Sequence, residues 1–355
     1  MNKSFYIPNL NGIRFLAAFV VILGHIELTR KWLGLDNLID HGSSFFEKGG
    51  HLGVLLFFVL SGYLITLLLL KEKDKEGTVN YRWFIVRRAL RIWPVYFLLV
   101  ITVLFFIHGI DSFQSLDKVI CFLLIAPNVS AAFFGGIKYI SHLWSIGVEE
   151  QFYLIWPFCA KYFNEKVFVI AMLVIAVFLP IVPHVMDWLA IRVLDYSFLF
   201  KGVKSFLNYF LINAMAVGGL LAYIQFKKGD VIKKSIYKYG LVIIGFALWL
   251  FPLPGGLLSS YLYPVAFGLL IYSLSNLPKL FLFENSLISY LGKISYGLYC
   301  YHWLVVYFVI ESVSNNSWVV YSLSILGTIA LAMLSFELME KNVLKFKSRF
   351  ALIKT

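Results

Sequence analysis

The sequence has little charge and no hydrophilic stretch long enough to form a soluble domain. Only 14% of its 355 residues are Asp, Glu, Lys or Arg, 60% are hydrophobic, and the mean hydropathy is +0.82. A soluble globular chain carries roughly a quarter charged residues. Because so few charges cannot cover a water-exposed surface of normal size, the apolar surface must face lipid. The sequence therefore predicts an all-α, polytopic integral membrane bundle.

Cysteine pairs and several common catalytic motifs are also missing. The chain has three cysteines in apolar runs, without pairing or metal-ligand spacing, and we expect buried, inert thiols at Cys121, Cys159 and Cys300. It contains no G-x-S-x-G elbow, H-E-x-x-H zinc motif, Walker loop or dinucleotide fingerprint. These absences argue against the enzyme classes that those motifs mark, and we expect no bound metal.

The net charge of +12 suggests either a nucleic-acid partner or an excess of basic residues on cytoplasmic loops. Hydropathy gives eleven candidate segments, but eleven spans would place the Lys-rich loop 227–238 opposite the one that begins at Lys71. Segment 118–134, which Pro127-Asn128 interrupts, is therefore assigned as re-entrant or lying on the outer surface. About ten spans result, near 10–28, 52–70, 91–108, 143–160, 167–184, 206–226, 236–252, 257–275, 287–311 and 317–338.

This ten-span topology explains the charge without nucleic acid. It places both termini in the cytoplasm, with 23 of the 31 basic residues on the inner side and eight on the outer side. We expect a multi-pass protein of the cell inner (cytoplasmic) membrane. Its membrane domain covers 1–343, a short basic cytoplasmic tail covers 344–355, and the longest outer loops are 29–51, 109–142 and 185–205.

Ionisable residues inside spans are costly and are candidate functional residues. Arg14 and His25 lie on the first helix, eleven residues apart, which corresponds to three turns plus about 20° and to about 16 Å along the axis. Both side chains therefore face one side, Arg14 near the inner end and His25 near the outer end. The alternative is that Arg14 reaches the lipid headgroups and His25 only hydrogen-bonds a neighbouring helix.

Arg88 and Arg91 form a same-face pair at the inner start of the third span. Guanidinium groups bind phosphate in a bidentate manner, so this pair is a candidate phosphate clamp. A basic cluster that only anchors the helix is the alternative, and we assign that role to Arg87.

Glu149 and Glu150 are adjacent carboxylates at the start of an apolar helix. One carboxylate could complement the helix N-terminus, but that role explains two less well. In the ten-span topology they enter from the outer side, at about the depth of His25, and His302 also lies beyond the midplane. We therefore predict a metal-free catalytic cluster of His25, Glu149, Glu150 and His302.

Six stretches, in order from about residue 8 to 343, together resemble acyltransferase family 3, whose members are integral membrane O-acyltransferases. The resemblance implies that Arg14 and His25 are the first-helix pair, with His25 as the catalytic base. It also implies that Arg88 and Arg91 contact the acyl donor, and that Glu149-Glu150 and His302 match the acidic pair and the late histidine. The stretches are IPNLNGIRFLAAFVVILGH, GVLLFFVLSGYLI, RRALRIWPVY, LWSIGVEEQFYLIWP, LGKISYGLYCYHW and FELMEKNV.

The sequence departs from this family pattern at two positions. Asn11 stands where members usually have Asp, and Asn342 replaces a common Pro. Some members carry an extra outer esterase-like domain. None follows the last span here, so we expect the transfer chemistry to finish within the membrane domain.

Together, the residues and the resemblance predict transfer of an acyl group, with acetyl favoured, from cytoplasmic acyl-CoA to a hydroxyl of an outer or lipid-linked carbohydrate. A glutamate would orient the His25 imidazole, and His302, Tyr153, Tyr296 or Tyr299 would donate to the oxyanion. The alternatives are a secondary transporter, a flippase for lipid-linked glycans and a non-catalytic sensor; no internal repeat of the transporter kind is visible. An acyl-enzyme intermediate and the oligomeric state are left open. Candidate acceptor contacts in loop 185–205 are Asp187, Trp188, Asp195 and Tyr196.

Overall fold

The computed structural model describes residues 6–36, 38, 45–107, 115–192 and 197–350, and all regular elements in these ranges are helices. The first half contains α1 to α8, and the second half contains α9 to α17. These helices are Leu10–Trp32, Phe45–Glu76, Tyr81–Ile101, Leu116–Leu123, Pro127–Phe133, Trp144–Tyr162, Glu165–Phe178, Ile181–Arg192, Phe198–Tyr209, Ile212–Lys228, Ser235–Leu250, Leu257–Ser275, Phe281–Glu284, Ser286–Lys293, Ser295–Ser312, Ser317–Ser335 and Lys341–Lys347.

Six helices among the described residues are long and apolar enough to cross a membrane, and a seventh span results if α7 and α8, bent by 42°, count as one. The three other predicted spans, 143–160, 236–252 and 287–311, lie on helices that are too short or too polar for this criterion. In α6 the polar residues include Glu149 and Glu150, and in α15 they include His302. Two of the three helices that fail the test, α6 and α15, therefore carry candidate catalytic residues, whereas His25 lies on α1, which passes it.

The segment 118–134 is not one continuous helix. Helices α4 and α5 have eight and seven residues, and Ile125 between them has a φ of 56°, a rare left-handed conformation for a β-branched residue. Pro127 occupies the first turn of α5, where its missing N–H costs nothing. At 1.5 Å per residue neither helix can cross a hydrocarbon core about 30 Å thick.

The core of the bundle depends on a close crossing of α2 and α10. A Cβ atom at Gly62 would lie 2.0 Å from the Met215 carbonyl oxygen, and a Cβ at Gly218 would lie 2.1 Å from that of Val59. Small residues let two membrane helices bring their backbones together. Gly62 is thus a position at which α2 packs closely on α10.

Gly62→Ala is expected to destabilise the protein strongly, because the added methyl group must separate two backbones rather than displace a flexible side chain. Gly240→Ala is the matched control, because no atom lies within 4 Å of the added Cβ and its φ is not positive. Thermal unfolding of both variants in detergent checks this. Equal midpoints for Gly62→Ala and Gly240→Ala would contradict the packing role.

Arg87 joins residues near the end of the chain to the C-terminal end of α2 and the N-terminal part of α3. Its guanidinium donates to Glu72 over 2.8 Å in a pair that is almost fully buried, and it also donates to the Phe350 carbonyl oxygen over 2.7 Å. The Glu72 carboxylate accepts a further hydrogen bond from the backbone N–H of Asn80. The end of the chain up to Phe350 therefore packs on α3, and the rest of the predicted tail, 351–355, lies outside the described residues.

Candidate active site

Two histidines from opposite ends of the sequence form a direct pair. His25 on α1 is half-buried and His302 on α15 is fully buried. Their Nδ1 and Nε2 atoms, respectively, are 2.7 Å apart, and the ring centroids are 4.9 Å apart. The structure thus brings together the first-helix and late histidines of the predicted cluster.

The surroundings of His302 fix the direction of this hydrogen bond. His302 Nδ1 lies 2.5 Å from the Tyr299 carbonyl oxygen, which only accepts, so Nδ1 must carry the proton. In a neutral ring Nε2 then accepts, and His25 Nδ1 donates to it. Of the four ring nitrogens in the pair, His25 Nε2 is therefore the one whose lone pair accepts no hydrogen bond from the other ring, and it is able to accept a proton.

Trp303 and Thr29 hold the His25 ring in place. The Trp303 ring stacks on His25 with centroids 4.3 Å apart, and its indole N–H donates to the Thr29 hydroxyl over 2.9 Å. That hydroxyl donates to the His25 carbonyl oxygen over 2.7 Å. Because side chain and backbone are both constrained, the imidazole is preorganised.

A third histidine, His142, completes an aromatic group around the pair. It is buried in the turn Ser141–Leu143 just before α6, and its ring centroid lies 4.7 Å from that of His302 and 6.1 Å from that of His25. Its Nε2 donates to the Cys300 carbonyl oxygen over 3.0 Å, and its Nδ1 is buried with no hydrogen-bond partner in the part of the chain that the structure describes. Sequence reasoning did not single out this residue, although it stands immediately before the LWSIGVEE stretch.

His142→Gln is expected to keep the protein folded, because a glutamine amide can still donate to the Cys300 carbonyl group. Its turnover should nevertheless fall roughly tenfold to a hundredfold, because the ring that packs on His302 and faces His25 is lost and small displacements of catalytic groups are costly. Steady-state kinetics with a matched measurement of thermal stability checks this. Unchanged turnover would limit His142 to packing.

An arginine-lined cavity lies beside the histidines. It has an empty volume of about 860 Å³ and contains Arg14, Arg88, Arg91 and Glu149, a net of two positive charges. Arg14 donates to the Asn11 amide oxygen over 3.0 Å, and the Arg88 Nε is buried without a hydrogen-bond partner among the described residues. The structure therefore brings the three predicted donor-binding arginines together from α1 and α3.

Tyr299 and Ser145 form the wall between this cavity and the histidines. Both line the cavity, and their hydroxyls are 2.6 Å apart. The Tyr299 hydroxyl also donates to the His142 carbonyl oxygen over 2.7 Å, and its ring lies 5.7 Å from His302. The two groups of predicted residues are thus separated by one layer of side chains.

Two other candidate oxyanion donors, Tyr296 and Tyr153, line the same cavity, and their hydroxyls have different hydrogen-bond partners. The Tyr296 hydroxyl donates to the Ile92 carbonyl oxygen over 2.8 Å, so its proton is already committed. The Tyr153 hydroxyl is 2.7 Å from the Ser61 hydroxyl, and either of the two can be the donor. Both hydroxyls are also hydrogen-bonded to the Glu149 carboxylate, so a bound group in the cavity would have to compete with Glu149 for a proton of this pair.

Glu149 and Glu150 do not accompany the histidines in the way that the predicted cluster required. Glu149 lines the arginine cavity, whereas Glu150 accepts from the Trp93 indole over 3.1 Å and keeps its other oxygen buried without a partner. In the described part of the chain neither carboxylate is hydrogen-bonded to His25 or His302. The Tyr299 carbonyl oxygen takes the orienting position instead, acting through His302.

The outer residues proposed as acceptor contacts are only partly described. Asp187 forms an ion pair with Lys204, and Trp188 is exposed on α8. Asp195 and Tyr196 lie outside the described residues. The described ranges also contain no group of three or more His, Cys, Asp or Glu side chains arranged to hold a metal ion.

Comparison with known proteins identifies the family of this chain. The family model described as an acyltransferase domain matches residues 7–337, nearly the whole chain. The chain belongs to this acyltransferase family. The resemblance seen in the sequence is thereby confirmed, and the apolar helices together with the family identify a multi-pass membrane protein.

Curated relatives of this acyltransferase-family chain are O-acetyltransferases by name. It is 29% identical over 378 residues to peptidoglycan O-acetyltransferase OatA of Listeria monocytogenes, covering 96% of this chain and 56% of the relative. It is 28% identical over 381 residues to O-acetyltransferase OatA of Staphylococcus aureus, covering 96% and 57%. The chain thus spans about half the length of the curated relatives it matches, and no solved structure matches it.

Proposed function

We propose that this chain is a transmembrane O-acyltransferase that moves an acyl group, acetyl in the first instance, from cytoplasmic acyl-CoA to a carbohydrate hydroxyl on the outer side. The observation that supports this most directly is the single wall, Tyr299 and Ser145, shared by the arginine cavity and the His25–His302 pair. The arginine cavity would bind the anionic donor on one side of this wall, and the free His25 Nε2 would act on the acceptor hydroxyl from the other side.

The proposed topology is the ten-span arrangement, with both termini in the cytoplasm and the chain in the inner (cytoplasmic) membrane. The membrane domain covers 1–343, 344–355 form a basic inner tail, and 118–134 lies re-entrant or on the outer surface. The excess of basic residues on the inner loops supports this orientation. It places Arg14 near the inner end of α1 and His25 near the outer end.

The donor would bind with its phosphates at Arg14, Arg88 and Arg91. These side chains bring three guanidinium groups to one cavity, and the unpartnered Arg88 Nε would gain an acceptor there. Glu149 in the same cavity leaves the site less positive than three arginines alone, which would favour release of the CoA product. The pantetheine arm would extend from the arginines towards Tyr299.

The chemistry needs a base for the acceptor hydroxyl. His25 Nε2 would take the hydroxyl proton while the oxygen attacks the thioester carbonyl, so that a C–O bond forms and the C–S bond breaks. The proton would then pass to the departing thiolate. The Tyr153 hydroxyl would exchange its hydrogen bond to Glu149 for one to the developing oxyanion, and His302 with the Tyr299 carbonyl would stabilise the protonated His25.

The acceptor would be a cell-surface or lipid-linked glycan. One relative is named for peptidoglycan, so glycan strands of that class are the first acceptors to test. We propose no nucleic-acid partner and no metal, and membrane lipids surround the bundle.

The experiment follows labelled acetyl groups in a bacterial host that expresses this chain, with an empty-vector strain as the control. The proposal predicts alkali-labile, ester-linked label in the cell-envelope glycan fraction only when the chain is present. If the label stays in the cytoplasm and its amount in the glycan fraction is the same in both strains, acyl transfer is contradicted. The transporter and sensor interpretations would then be favoured.

A further inference from the structure

A second cavity lies on the other side of α2, away from the arginines. It has an empty volume of about 1270 Å³ and is lined by parts of α2, α8, α9, α10 and α12 and by the break between α7 and α8. His51, Leu52 and Leu55 of α2 face it, whereas Val54, Phe57 and Phe58 of the same helix face the arginine cavity. The two cavities are therefore separate, with one helix between them.

This cavity lies at the same end of the bundle as His25. A Cβ atom at Gly50 would come within 3.4 Å of the Gly24 Cα, so the residue before His51 packs against the residue before His25. The Trp249 indole donates to the Gly49 carbonyl oxygen over 3.1 Å, which fixes this turn of α2. His51 is thus held at the depth of the candidate base.

Three breaks in the membrane helices meet around the cavity. They are the 42° bend between α7 and α8 with Pro180 and Pro183, the break at Phe210–Leu211, and the segment between α11 and α12 with Pro252. Irregular backbone at membrane depth is tolerated where it is buried in protein or lines a cavity. Breaks of this kind surround ligand sites in other membrane proteins.

The polar side chains that line the cavity include basic, amide and hydroxyl groups but no acid, and Ser259, Ser260 and Tyr263 supply the hydroxyls. Lys48, His51, His184 and Asn208 are exposed to it, and none of the four makes a hydrogen bond or ion pair within the described residues. No Asp or Glu occurs among the described lining residues, and the nearby Asp187 is already paired with Lys204. An anion would gain a charge-assisted hydrogen bond from Lys48 and neutral donors around it.

The rest of the lining is apolar and includes Leu52, Leu55, Leu207 and Leu211. A small free anion would leave this surface unused, whereas an alkyl or isoprenyl chain would cover it. We propose that this cavity binds an amphiphilic phosphate, with the phosphate at Lys48, His51 and His184 and one hydrocarbon chain along the leucines. This site is independent of the proposed acyl transfer and goes beyond it.

The test measures binding to the full chain, purified in dodecyl maltoside, by thermal shift and titration. The probes are lysophosphatidic acid, lysophosphatidylcholine with the same acyl chain, and inorganic phosphate. Saturable stabilisation by lysophosphatidic acid alone is expected. Equal stabilisation by lysophosphatidylcholine would overturn the role of the cationic lining, and equal stabilisation by inorganic phosphate would overturn the role of the chain.

Variants locate the binding, because the arginine cavity could also attract a phosphate. Lys48→Gln with His51→Gln is expected to weaken lysophosphatidic acid binding by about tenfold or more. Lys118→Gln, which removes an outer lysine that does not line the cavity, and Arg88→Gln should leave it within about twofold. A loss that follows Arg88→Gln instead would place the lipid in the arginine cavity and overturn the proposal.

Discussion

Replacing His25 with Ala is expected to reduce acyl transfer by a factor of about 10² to 10⁴, the usual contribution of a positioned general base. The reason is the chain of hydrogen bonds from the Tyr299 carbonyl through His302 to His25 Nδ1. In this two-histidine pair it leaves His25 Nε2 as the nitrogen that is free to take up a proton. The measurement is turnover of labelled acetyl-CoA by the purified variant. Fluorescence-detected size-exclusion chromatography shows whether the variant inserts and folds normally.

The His25–His302 pair supplies the control for this prediction. His302→Ala should also lose most turnover, and the double variant should be no worse than His25→Ala, because residues that act as one unit are not additive. His302→Gln should lose less than His302→Ala, since an amide oxygen near the Nε2 position can still accept from His25. Losses that multiply in the double variant would contradict a shared function.

Arg88→Gln is expected to raise the KM for acyl-CoA by roughly tenfold to a hundredfold while kcat falls less. The guanidinium lies in the arginine cavity over the rings of Phe84 and Tyr153, at 5.4 and 5.8 Å, and its Nε has no hydrogen-bond partner within the described ranges. Removing a donor that binds a phosphate equally in ground and transition states raises KM chiefly. Steady-state kinetics over a range of acetyl-CoA concentrations checks this.

Arg82→Gln is the matched control for Arg88. It removes the same side chain from the same helix at an exposed position that does not line the arginine cavity. Its KM should equal that of the wild-type protein. Arg88→Lys should fall between the two, because it keeps the charge and loses the bidentate geometry. Equal KM values for Arg82→Gln and Arg88→Gln would remove Arg88 from the donor site.

The side of a helix that two residues share could be predicted from the sequence, and the structure agrees for Arg14 with His25 and for Arg88 with Arg91. The eleven-residue separation put Arg14 and His25 on one side of α1, where Arg14 lines the arginine cavity and His25 contacts His302. The i, i+3 spacing of Arg88 and Arg91 likewise put both on the cavity side of α3. Helical periodicity fixes these relations within one element, before any tertiary contact is known.

Relations between helices were harder to predict. Glu149 and Glu150 were grouped with His25 because their depths agree, but depth does not say which neighbour a helix face meets, and Glu149 lines the arginine cavity instead. His142 lies in a short turn before α6, outside any amphipathic pattern, so its contact with His302 depends on tertiary packing alone. Hydropathy likewise could not foresee the bend between α7 and α8.

The most direct test of the account uses the full chain in proteoliposomes, with the inner-loop face of the protein oriented inward. Labelled acetyl-CoA is sealed inside the vesicles, and glycan oligomers are supplied only outside. The account predicts ester-linked label on the outside glycan and unlabelled CoA left inside, with both lost in His25→Ala. Label that reaches glycan only when the donor and the acceptor are on the same side would contradict transfer across the membrane.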